Sequence, residues 1–393
     1  MTSKIAILGY GRSGRAAEAL AKRLGYKTCV YDDAQKSAAD EAMLEGCSFA
    51  VVSPGLAMSH PMVKACEARH LALVSELQFG VEELARQGVR MIAVTGSKGK
   101  SSVVKVVADG LNRAGNVRAV ACGNFGKPVS EVAVEGGVEW AVVEVSSFQM
   151  ETTNLPANTF EAAAILNLQA DHLDRHGTLA AYHALKRKLL TMAKARIEGP
   201  VGLERFDDLV AGSYFGNEIL QPNGTIAAAL MRLAGLEREE IAAAFRDYVA
   251  LPHRMNEVGV FRGVRCVDDS KATSIAALEA GVTMCGGGVR LIAGGLAKCD
   301  DPATACECLK KYVKKIYLIG RSAEAFAAAW KGAVECELCG TMDKAVASAF
   351  RDAGKGETIL LSPGTASFDQ FKNFEQRGDV FVELVNKEGQ TKI

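Results

Sequence analysis

The sequence predicts an α/β protein with three domains, each built on a mainly parallel sheet. Three observations lead to this prediction. Short apolar runs alternate with amphipathic helical segments along the 393 residues, as expected when crossover helices join parallel strands. Two glycine-rich turns, GYGRSG (9–14) and TGSKGKSS (95–102), directly follow apolar runs. Polar clusters follow several later runs, and open α/β sheets bind ligands at the carboxyl ends of their strands.

Composition and charge argue against several classes of protein. Lysine plus arginine and aspartate plus glutamate both total 46, so the formal net charge is zero. A neutral chain argues against nucleic acid or an anionic membrane as the main partner. No apolar run approaches the length of a bilayer span, and no signal-peptide core precedes the first strand. The eleven scattered cysteines favour a cytoplasmic protein over a disulfide framework.

The amino-terminal domain, residues 1–88, is predicted to be Rossmann-like. A strand at 4–8 runs into GYGRSG, a helix follows, and the next strand ends at Asp32. An acidic residue about 20 residues after the glycine turn is typical of a dinucleotide-binding βαβ unit. The glycine pattern by itself fits NAD, a UDP-sugar or a purely structural turn. A later strand ends in Ser53-Pro54-Gly55, which fits a ligand contact and a simple turn equally well.

The central domain, residues 89–250, is organised around TGSKGKSS. An apolar strand precedes this turn, and a helical pattern follows it. Glycines let backbone N–H groups face a phosphate, and the helix N-terminus adds the positive end of its dipole. In such a loop Lys100 reaches the terminal phosphates and Ser101 ligates Mg²⁺. The full motif has glycine where Val94 stands, so the loop is shortened, and an ordinary turn that contains a lysine is the alternative.

Two further strand ends of the central domain carry candidates for metal or substrate contact. Glu144 lies among apolar neighbours at the end of a strand, where a carboxylate is costly unless it is paired or bound to a metal. Beside a phosphate loop, its natural partner is Mg²⁺. The next strand leads into a crowded group of acidic and imidazole side chains, namely Asp171, His172, Asp174 and His176. This crowding favours a metal or substrate contact, whereas nothing in the spacing marks Lys186 as special.

The carboxy-terminal domain, residues 251–393, is predicted to be a second Rossmann-like domain. Its strands alternate with helices, and polar clusters follow the strands, among them DDSKAT (268–273) and SPGTAS (362–367). These clusters are placed where parallel sheets bind ligands.

A structural zinc site is not expected among the cysteines of this domain. Cys336 and Cys339 form a CxxC pair, with Cys299, Cys306 and Cys308 nearby in the sequence. A zinc site needs four ligands, normally as two paired clusters. Cys306 and Cys308 lie two residues apart on a predicted helix, so they do not share a face.

Seven segments, in order along almost the whole chain, resemble the Mur ligases of peptidoglycan synthesis. They are TGSKGKSS (95–102), GNFGKP (123–128), VEVSSFQMET (143–152), NLQADHLDRH (167–176), LPHRMN (251–256), DDSKATS (268–274) and LLSPGTASFDQFKNFEQRG (360–378). The last segment is long and highly specific. The Rossmann-like opening with GYGRSG is similar to that of the D-glutamate-adding members of the family.

The resemblance implies an ATP-dependent ligase of peptidoglycan precursor synthesis in the cytoplasm, with Mg²⁺ as a cofactor. ATP would phosphorylate the carboxylate of UDP-N-acetylmuramoyl-L-alanine, and the amine of D-glutamate would attack the acyl phosphate and expel phosphate. Such phosphoryl transfer depends on charge neutralisation and positioning rather than on covalent help from the protein.

The resemblance also assigns residues by their match to the family motifs. The ATP site would comprise Thr95, Gly96, Ser97, Lys98, Gly99, Lys100, Ser101, Ser102, Asn223, Arg254, Asp269 and Lys271. The catalytic residues would be Lys100, Glu144, His172 and Lys186, and the metal ligands would be Ser101, Glu144, His172 and, if it is carbamylated, Lys186. The UDP-sugar site would comprise Arg12, Ser13, Asp32, Ser53, Gly55, Asn124 and Gln149. D-Glutamate would contact Thr273, Lys298, Ser367 and Phe374.

The sequence departs from the family pattern at several points. Lys98 replaces an asparagine and Ser102 a threonine in the loop, and Asp268 stands where asparagine is common. The family's adenine-side motif Asn-x-x-Asn begins at Asn223 but ends in Ile226, which puts the adenine contact in question. The segment from 186 to 223 is short, so the central domain is expected to lack a β-hairpin region.

Two other functions compete with the ligase interpretation. An NAD-dependent oxidoreductase fits GYGRSG and Asp32 but leaves the phosphate loop, Glu144 and the DDSKAT segment unexplained. A non-catalytic UDP-sugar-binding relative fits Ile226 and the short central segment. The presence of Lys100, Glu144, His172 and Lys186 argues against the second alternative.

Overall fold

The computed structural model describes residues 3–35, 41–115, 117–204, 206–298 and 300–390. Its strands form three sheets, of four, five and six strands. All pairings but one are parallel, which confirms the predicted α/β class. No helix within these ranges combines the length and apolar character needed to cross a membrane.

The first sheet has the order β2-β1-β3-β4. Its elements are β1 (Lys4–Leu8), α1 (Arg12–Arg23), β2 (Lys27–Tyr31), β3 (Cys47–Val52), α2 (Pro61–Ala68), β4 (Ala72–Ser75) and α3 (Glu76–Arg86). Helix α1 packs closely on the sheet because Gly14 has no side chain, since a Cβ there would lie 1.9 Å from the carbonyl oxygen of Gly9. This is the close helix–strand approach that the third glycine of such a turn allows.

The second sheet has the order β6-β7-β5-β8-β9. Its strands are β5 (Arg90–Thr95), β6 (Ala119–Gly123), β7 (Trp140–Glu144), β8 (Phe160–Ile165) and β9 (Ala193–Glu198). Its helices are α4 (Lys100–Ala114), α5 (Val129–Glu135), α6 (Ser147–Met150), α7 (Leu173–His176), α8 (Leu179–Leu190), α9 (Asp207–Val210), α10 (Gln221–Leu233) and α11 (Arg238–Arg246). The central strand β5 is buried from Met91 onward and leads directly into the phosphate loop.

The first two sheets belong to one compact unit, residues 1–248. A single apolar cluster joins them and includes Ile5 of β1, Leu84 of α3, Val132 of α5 and Val143 of β7. Burial of such a continuous apolar surface is the main term that stabilises a domain. The boundary predicted at residue 88 falls in the short connection between α3 and β5.

Residues 249–393 form the second compact unit, with strand order β10-β11-β15-β12-β13-β14. Its strands are β10 (Asn256–Phe261), β11 (Val264–Asp268), β12 (Val289–Gly294), β13 (Val313–Ile319), β14 (Cys336–Gly340) and β15 (Thr358–Leu361). Its helices are α12 (Ile275–Cys285), α13 (Cys306–Tyr312), α14 (Ala323–Ala329), α15 (Met342–Asp352) and α16 (Phe374–Gln390). Strand β10 is antiparallel to β11.

Several predicted elements need correction. The apolar runs predict ten strands, at 4–8, 28–31, 49–52, 91–94, 140–145, 162–166, 264–267, 289–293, 315–319 and 358–361. Five further strands were not predicted, namely β4, β6, β9, β10 and β14, and each lies at the edge of its sheet. Strand β9 gives little strand signal because its exposed positions are charged. The sequence pattern predicts helices that begin at Arg15 and at Thr225. Helix α1 instead begins at Arg12, and α10 begins at Gln221 because Pro222 is tolerated in its first turn.

Candidate active site

The phosphate loop alone connects β5, which ends at Thr95, to α4, which begins at Lys100. Gly99 has a left-handed backbone with φ of 83°, which glycine adopts without strain, and α4 starts at the next residue. The Lys100 ammonium donates to the carbonyl oxygens of Gly96 at 2.8 Å and Ser97 at 3.1 Å. The loop therefore combines a helix N-terminus with a cation held over its own backbone, the arrangement that favours a phosphate.

The segment after β8 holds the loop in shape. The Asn167 side chain accepts from the Lys98 N–H at 2.9 Å and donates to the Lys98 carbonyl at 3.0 Å. The Ser97 hydroxyl donates to the carbonyl of Gln169 at 2.9 Å. The Lys98 ammonium lies 3.7 Å from an oxygen of Asp171, so the residue that departs from the family pattern takes part in an ion pair.

Asn223 of α10 packs against this loop. Its side chain is buried, and a Cβ at Gly99 would lie 2.2 Å from its Nδ2 atom. Three residues on, Ile226 is fully buried in the core of the second sheet. Ile226 is therefore a packing residue, and the role of Asn223 at the adenine remains a prediction.

Glu144, the predicted metal ligand of β7, is buried and only partly hydrogen-bonded by the described residues. The carboxylate lies at the end of the buried strand β7, and its Oε1 accepts from Asn124 Nδ2 at 2.6 Å. Its Oε2 is buried and has no hydrogen-bond partner among the described residues. A buried carboxylate oxygen without a donor is costly, and a hard cation such as Mg²⁺ would satisfy it.

His172 lies at the start of α7 in a left-handed conformation, with φ of 53°. Its ring is half-exposed, 3.7 Å from an Asp171 oxygen and 4.8 Å from the centre of the Phe148 ring. No three His, Cys, Asp or Glu side chains among the described residues gather closely enough to hold a metal. Mg²⁺ does not require such a cluster, because it retains waters and takes phosphate oxygens alongside one or two protein ligands.

The other basic residues of this segment form a network that the sequence did not reveal. His176 bonds to the Ser147 hydroxyl at 2.9 Å. The guanidinium of Arg175 donates to both oxygens of Glu151 and to the carbonyl of Leu56 at 2.6 Å. Arg175 thus connects the central sheet to the turn that follows Ser53-Pro54-Gly55. Asp174 has no described side-chain position.

Lys186 is almost fully buried on α8. Its ammonium donates to the carbonyl of Gly96 at 2.9 Å and lies 4.6 Å from the centre of the Tyr182 ring. Burial, followed by the nearby Lys100 charge, lowers the pKa of Lys186 to about 7. An amine with such a pKa is substantially neutral at physiological pH, as a carbamate requires.

The residues predicted for the UDP-sugar lie mostly at the carboxyl edge of the first sheet. The Asp32 carboxylate accepts from the backbone N–H groups of Tyr10 and Ala34. The Ser53 hydroxyl donates to the carbonyl of Gly9 at 2.8 Å. These contacts hold the glycine turn against its neighbours. Arg12 and Gly55 are exposed and Ser13 is half-buried, so the three are available to a ligand.

The two UDP-sugar candidates of the central sheet differ. Asn124 is exposed, with its side-chain amide on Glu144. Gln149 is buried, and its Oε1 accepts from the Ser146 N–H at 2.9 Å in a capping box at the start of α6. This local role occupies the Gln149 carbonyl.

In the second unit, Asp269 is buried where β11 ends. Its carboxylate accepts from the Ser362 hydroxyl at 2.9 Å and from the Met255 N–H at 3.3 Å. Burial raises the pKa of Asp269 to about 7. The preceding Asp268 bonds to His253 Nδ1 at 2.6 Å, an ion-pair geometry that asparagine would not provide. Burial also raises the pKa of Asp268.

The remaining candidates follow three adjacent strands, β11, β15 and β12. Lys271 lies over the ring of Phe374, with its ammonium 3.7 Å from the ring centre. Thr273 is half-buried, Ser367 is buried and Lys298 is exposed. Arg254 is half-buried just before β10. The carboxyl ends of neighbouring parallel strands form one sheet edge, so the D-glutamate candidates share a side of this unit.

The cysteine pair of the CxxC motif lies on β14. The Cys336 thiol is within reach of the Val334 carbonyl, and the Cys339 thiol is within reach of Glu337. Cys299 lies outside the described residues.

Sequence comparison assigns this α/β chain, with its phosphate loop, to the ligases of the Mur type. Residues 94–198 match the Mur ligase middle domain, and residues 253–364 match the glutamate ligase domain of the same family. The chain belongs to the Mur ligase family. Its members are ATP-dependent enzymes that form amide bonds, and the match places the chain among them rather than among the nicotinamide oxidoreductases.

Two relatives indicate the branch of the family. The chain is 32% identical to the UDP-N-acetylmuramoylalanine--D-glutamate ligase of Myxococcus xanthus, over 97% of this chain and 98% of that protein. It is 31% identical to the enzyme of the same name from Hahella chejuensis, over 97% of each chain. The first alignment spans 450 positions whereas this chain has 393 residues, so the relative contains segments that this chain lacks.

Solved structures share the fold. The MurF ligase of Thermotoga maritima in complex with ADP has a TM-score of 0.60 at 15% identity, covering 99% of this chain and 95% of that one. The UDP-N-acetylmuramate-alanine ligase MurC of the same organism also has a TM-score of 0.60, at 13% identity, covering 98% and 99%.

Proposed function

We propose that this enzyme joins D-glutamate to UDP-N-acetylmuramoyl-L-alanine at the expense of ATP. The proposal depends on a formed phosphate loop together with a buried Glu144 oxygen for which the described part of the chain supplies no hydrogen-bond donor. Near full-length similarity to ligases named for D-glutamate supports the choice of substrates. We place the reaction in the cytoplasm, in keeping with the free thiols of all ten described cysteines.

The reaction has two chemical steps. A carboxylate oxygen of the UDP-sugar attacks the γ-phosphorus of ATP, and ADP leaves. The D-glutamate amine then attacks the carbonyl carbon of the acyl phosphate, loses a proton, and expels phosphate. Both steps require neutralisation of negative charge and alignment of the reactants. On the nucleotide side, Lys100 and the N-terminus of α4 would neutralise the negative charge of the phosphates.

Magnesium is part of the proposal. The Oε2 of Glu144 would ligate it, with His172 and the Ser101 hydroxyl as further ligands, and the cation would neutralise phosphate charge. Lys186 would join this set as a carbamate, for which its buried, largely neutral amine is suited. In the unmodified chain, this amine donates a hydrogen bond to the Gly96 carbonyl.

Phosphate release tests the proposal. Purified protein is given MgATP and UDP-N-acetylmuramoyl-L-alanine, with D-glutamate, L-glutamate, L-lysine or D-aspartate in turn. We expect release with D-glutamate only, and loss of release in Lys100→Met, with Lys105→Met as the matched control on the same helix. Absence of release with every amino acid would refute the proposed reaction.

The alternative is a weakly active or non-catalytic UDP-sugar-binding relative, favoured by Ile226 and by the short central segment. Calorimetry with UDP-N-acetylmuramoyl-L-alanine and with MgATP distinguishes the two. Sugar-nucleotide binding without turnover would support the alternative, whereas turnover with D-glutamate removes it.

A further inference from the structure

Among the described residues of the second unit, Arg377 in the first turn of α16 is the largest charged side chain that is fully buried. Its guanidinium donates to the Ser270 hydroxyl at 3.0 Å and to the Ser270 carbonyl at 2.7 Å. It also donates to the carbonyl of Thr365 at 3.2 Å and to that of Ala366 at 3.3 Å. Within the described residues, all its hydrogen bonds therefore go to two loops.

The acceptors are neutral, which makes this placement unusual. A buried cation normally has a carboxylate partner, because desolvation of the charge is expensive. Burial lowers the pKa of Arg377 only to about 10, so the group remains charged at neutral pH. A guanidinium offers five donors in one plane, and here that planar fork spans two chain segments that are far apart in sequence.

The two loops carry the candidate ligand residues of this unit. The first follows β11 and contains Asp269 and Lys271, predicted for ATP, and Thr273, predicted for D-glutamate. The second follows β15 and contains Ser367, also predicted for D-glutamate. The Ser270 hydroxyl donates onward to the carbonyl of Phe374 at 2.8 Å, which brings the start of α16 into the same network.

We propose that Arg377 is a positioning residue that ties the nucleotide-side loop to the amino-acid-side loop, so that neither loop moves independently. Arg377 is fully buried, so in this proposal it acts on the substrates only through the two loops. The inference rests on the proposed function, because it assigns the two loops to ATP and to D-glutamate. It predicts that one substitution perturbs both substrates together.

The test variant is Arg377→Lys, which keeps the charge and loses the planar fork. Its control is Arg290→Lys, which makes the same chemical change in a half-buried arginine of β12. The Arg290 guanidinium bonds to Glu357 at 2.8 Å, outside both loops. We expect the KM for MgATP and for D-glutamate to rise together in Arg377→Lys. We also expect kcat/KM for D-glutamate to fall about 10- to 100-fold, the order of effect known for small misplacements.

The KM for the UDP-sugar serves as an internal reference, because its candidate residues lie in the first unit. We expect it to change less than about twofold in both variants. Equal loss of thermal stability in the two variants with unchanged KM values would show that Arg377 is only structural and would overturn the inference. A rise in one KM alone would also overturn it.

Hydrogen exchange separates this inference from the proposed function. The Lys271 N–H donates to the His253 carbonyl and the Ala366 N–H donates to the Leu296 carbonyl. In the ligand-free full-length protein, Arg377→Lys should speed the exchange of both amides at least about tenfold, and Arg290→Lys should not. If wild-type protein releases no phosphate with any amino acid, the proposed function fails. The exchange result still decides whether Arg377 couples the loops, and unchanged exchange at either amide refutes the coupling.

Discussion

Glu76 allows a sharp test of how burial and a helix N-terminus compete over one carboxyl group. It lies at the start of α3 and is 2% exposed. Its Oε1 accepts from the Ser130 N–H, in the first turn of α5, at 2.7 Å. The positive end of a helix favours a carboxylate by roughly 0.3 to 2 kcal/mol. Burial is the larger effect, and it raises the pKa of Glu76 to about 7.

The magnitude follows from linkage between proton binding and folding. Because the folded pKa exceeds the ordinary value of 4.5, the folded chain binds more protons than the unfolded chain between these limits, and stability falls as pH rises. A pKa of about 7 against 4.5 corresponds to about 3 kcal/mol, at about 1.36 kcal/mol for each pKa unit. About 2 kcal/mol of this loss falls between about pH 5.5 and pH 8.5.

The test is the isosteric change Glu76→Gln, which keeps an acceptor for Ser130 and cannot ionise. Unfolding by urea is followed at pH 5.5 and 8.5 in a Trp330→Phe background, where Trp140 of β7 alone reports on the first unit. Relative to the parent, Glu76→Gln should gain about 2 kcal/mol as the pH is raised. Glu239→Gln, on the exposed surface of α11, controls for the loss of one negative charge. A stability difference that stays constant with pH, or a variant that weakens at pH 8.5, would refute the reasoning.

Three further predictions concern substitutions in the candidate site and in the glycine turn of the first sheet. Mg²⁺ should raise the melting temperature of wild-type protein but not of Glu144→Gln, because the Glu144 oxygen that no described residue satisfies is the proposed ligand. Equal shifts of the two melting temperatures in calorimetry would contradict this. Gly99→Ala should weaken ATP binding at least about tenfold, since a Cβ there meets Asn223 and φ is positive. An unchanged Kd for ATP would contradict this, and the control is Gly115→Ala, whose Cβ would meet no atom within 4 Å. Gly14→Ala should lower the free energy of unfolding of the first unit, measured in urea, by about 2 kcal/mol or more, because its Cβ meets the Gly9 carbonyl. In the control Gly25→Ala, the added Cβ meets no atom within 4 Å, so this variant tests only the effect of positive φ.

The pattern of predicted and missed strands has a physical explanation. The ten predicted strands include all nine interior strands of the three sheets, which are buried on both faces and so read as continuous apolar runs. Of the six edge strands, only β2 was predicted. Edge strands such as β9 carry charged residues on an exposed face, a common protection of unpaired edges. Their identity depends on a neighbouring strand rather than on their own composition.

Some features of the candidate site could be predicted from the sequence, and others could not. The residue types of the phosphate loop and the carboxylate on β7 were visible in the sequence, because strand, glycine and lysine are contiguous there. The sequence did not reveal the contact between Asn223 and Gly99 or the bond from Arg175 to the Leu56 carbonyl. Each of these joins positions more than 100 residues apart. The low pKa of Lys186 likewise has no sequence signal.

The sequence by itself determined the α/β class, the order of the glycine turns and the family of the protein, because these are carried by local periodicity and by contiguous motifs. Only the tertiary structure decided which groups share a site and in which state. It buried Lys186 beside Lys100 and enclosed Arg377 between two loops. It also left one oxygen of Glu144 without a donor from any residue that the structure describes. Desolvation and hydrogen-bond satisfaction depend on all the neighbours that surround a group in space, and a linear sequence does not specify those neighbours.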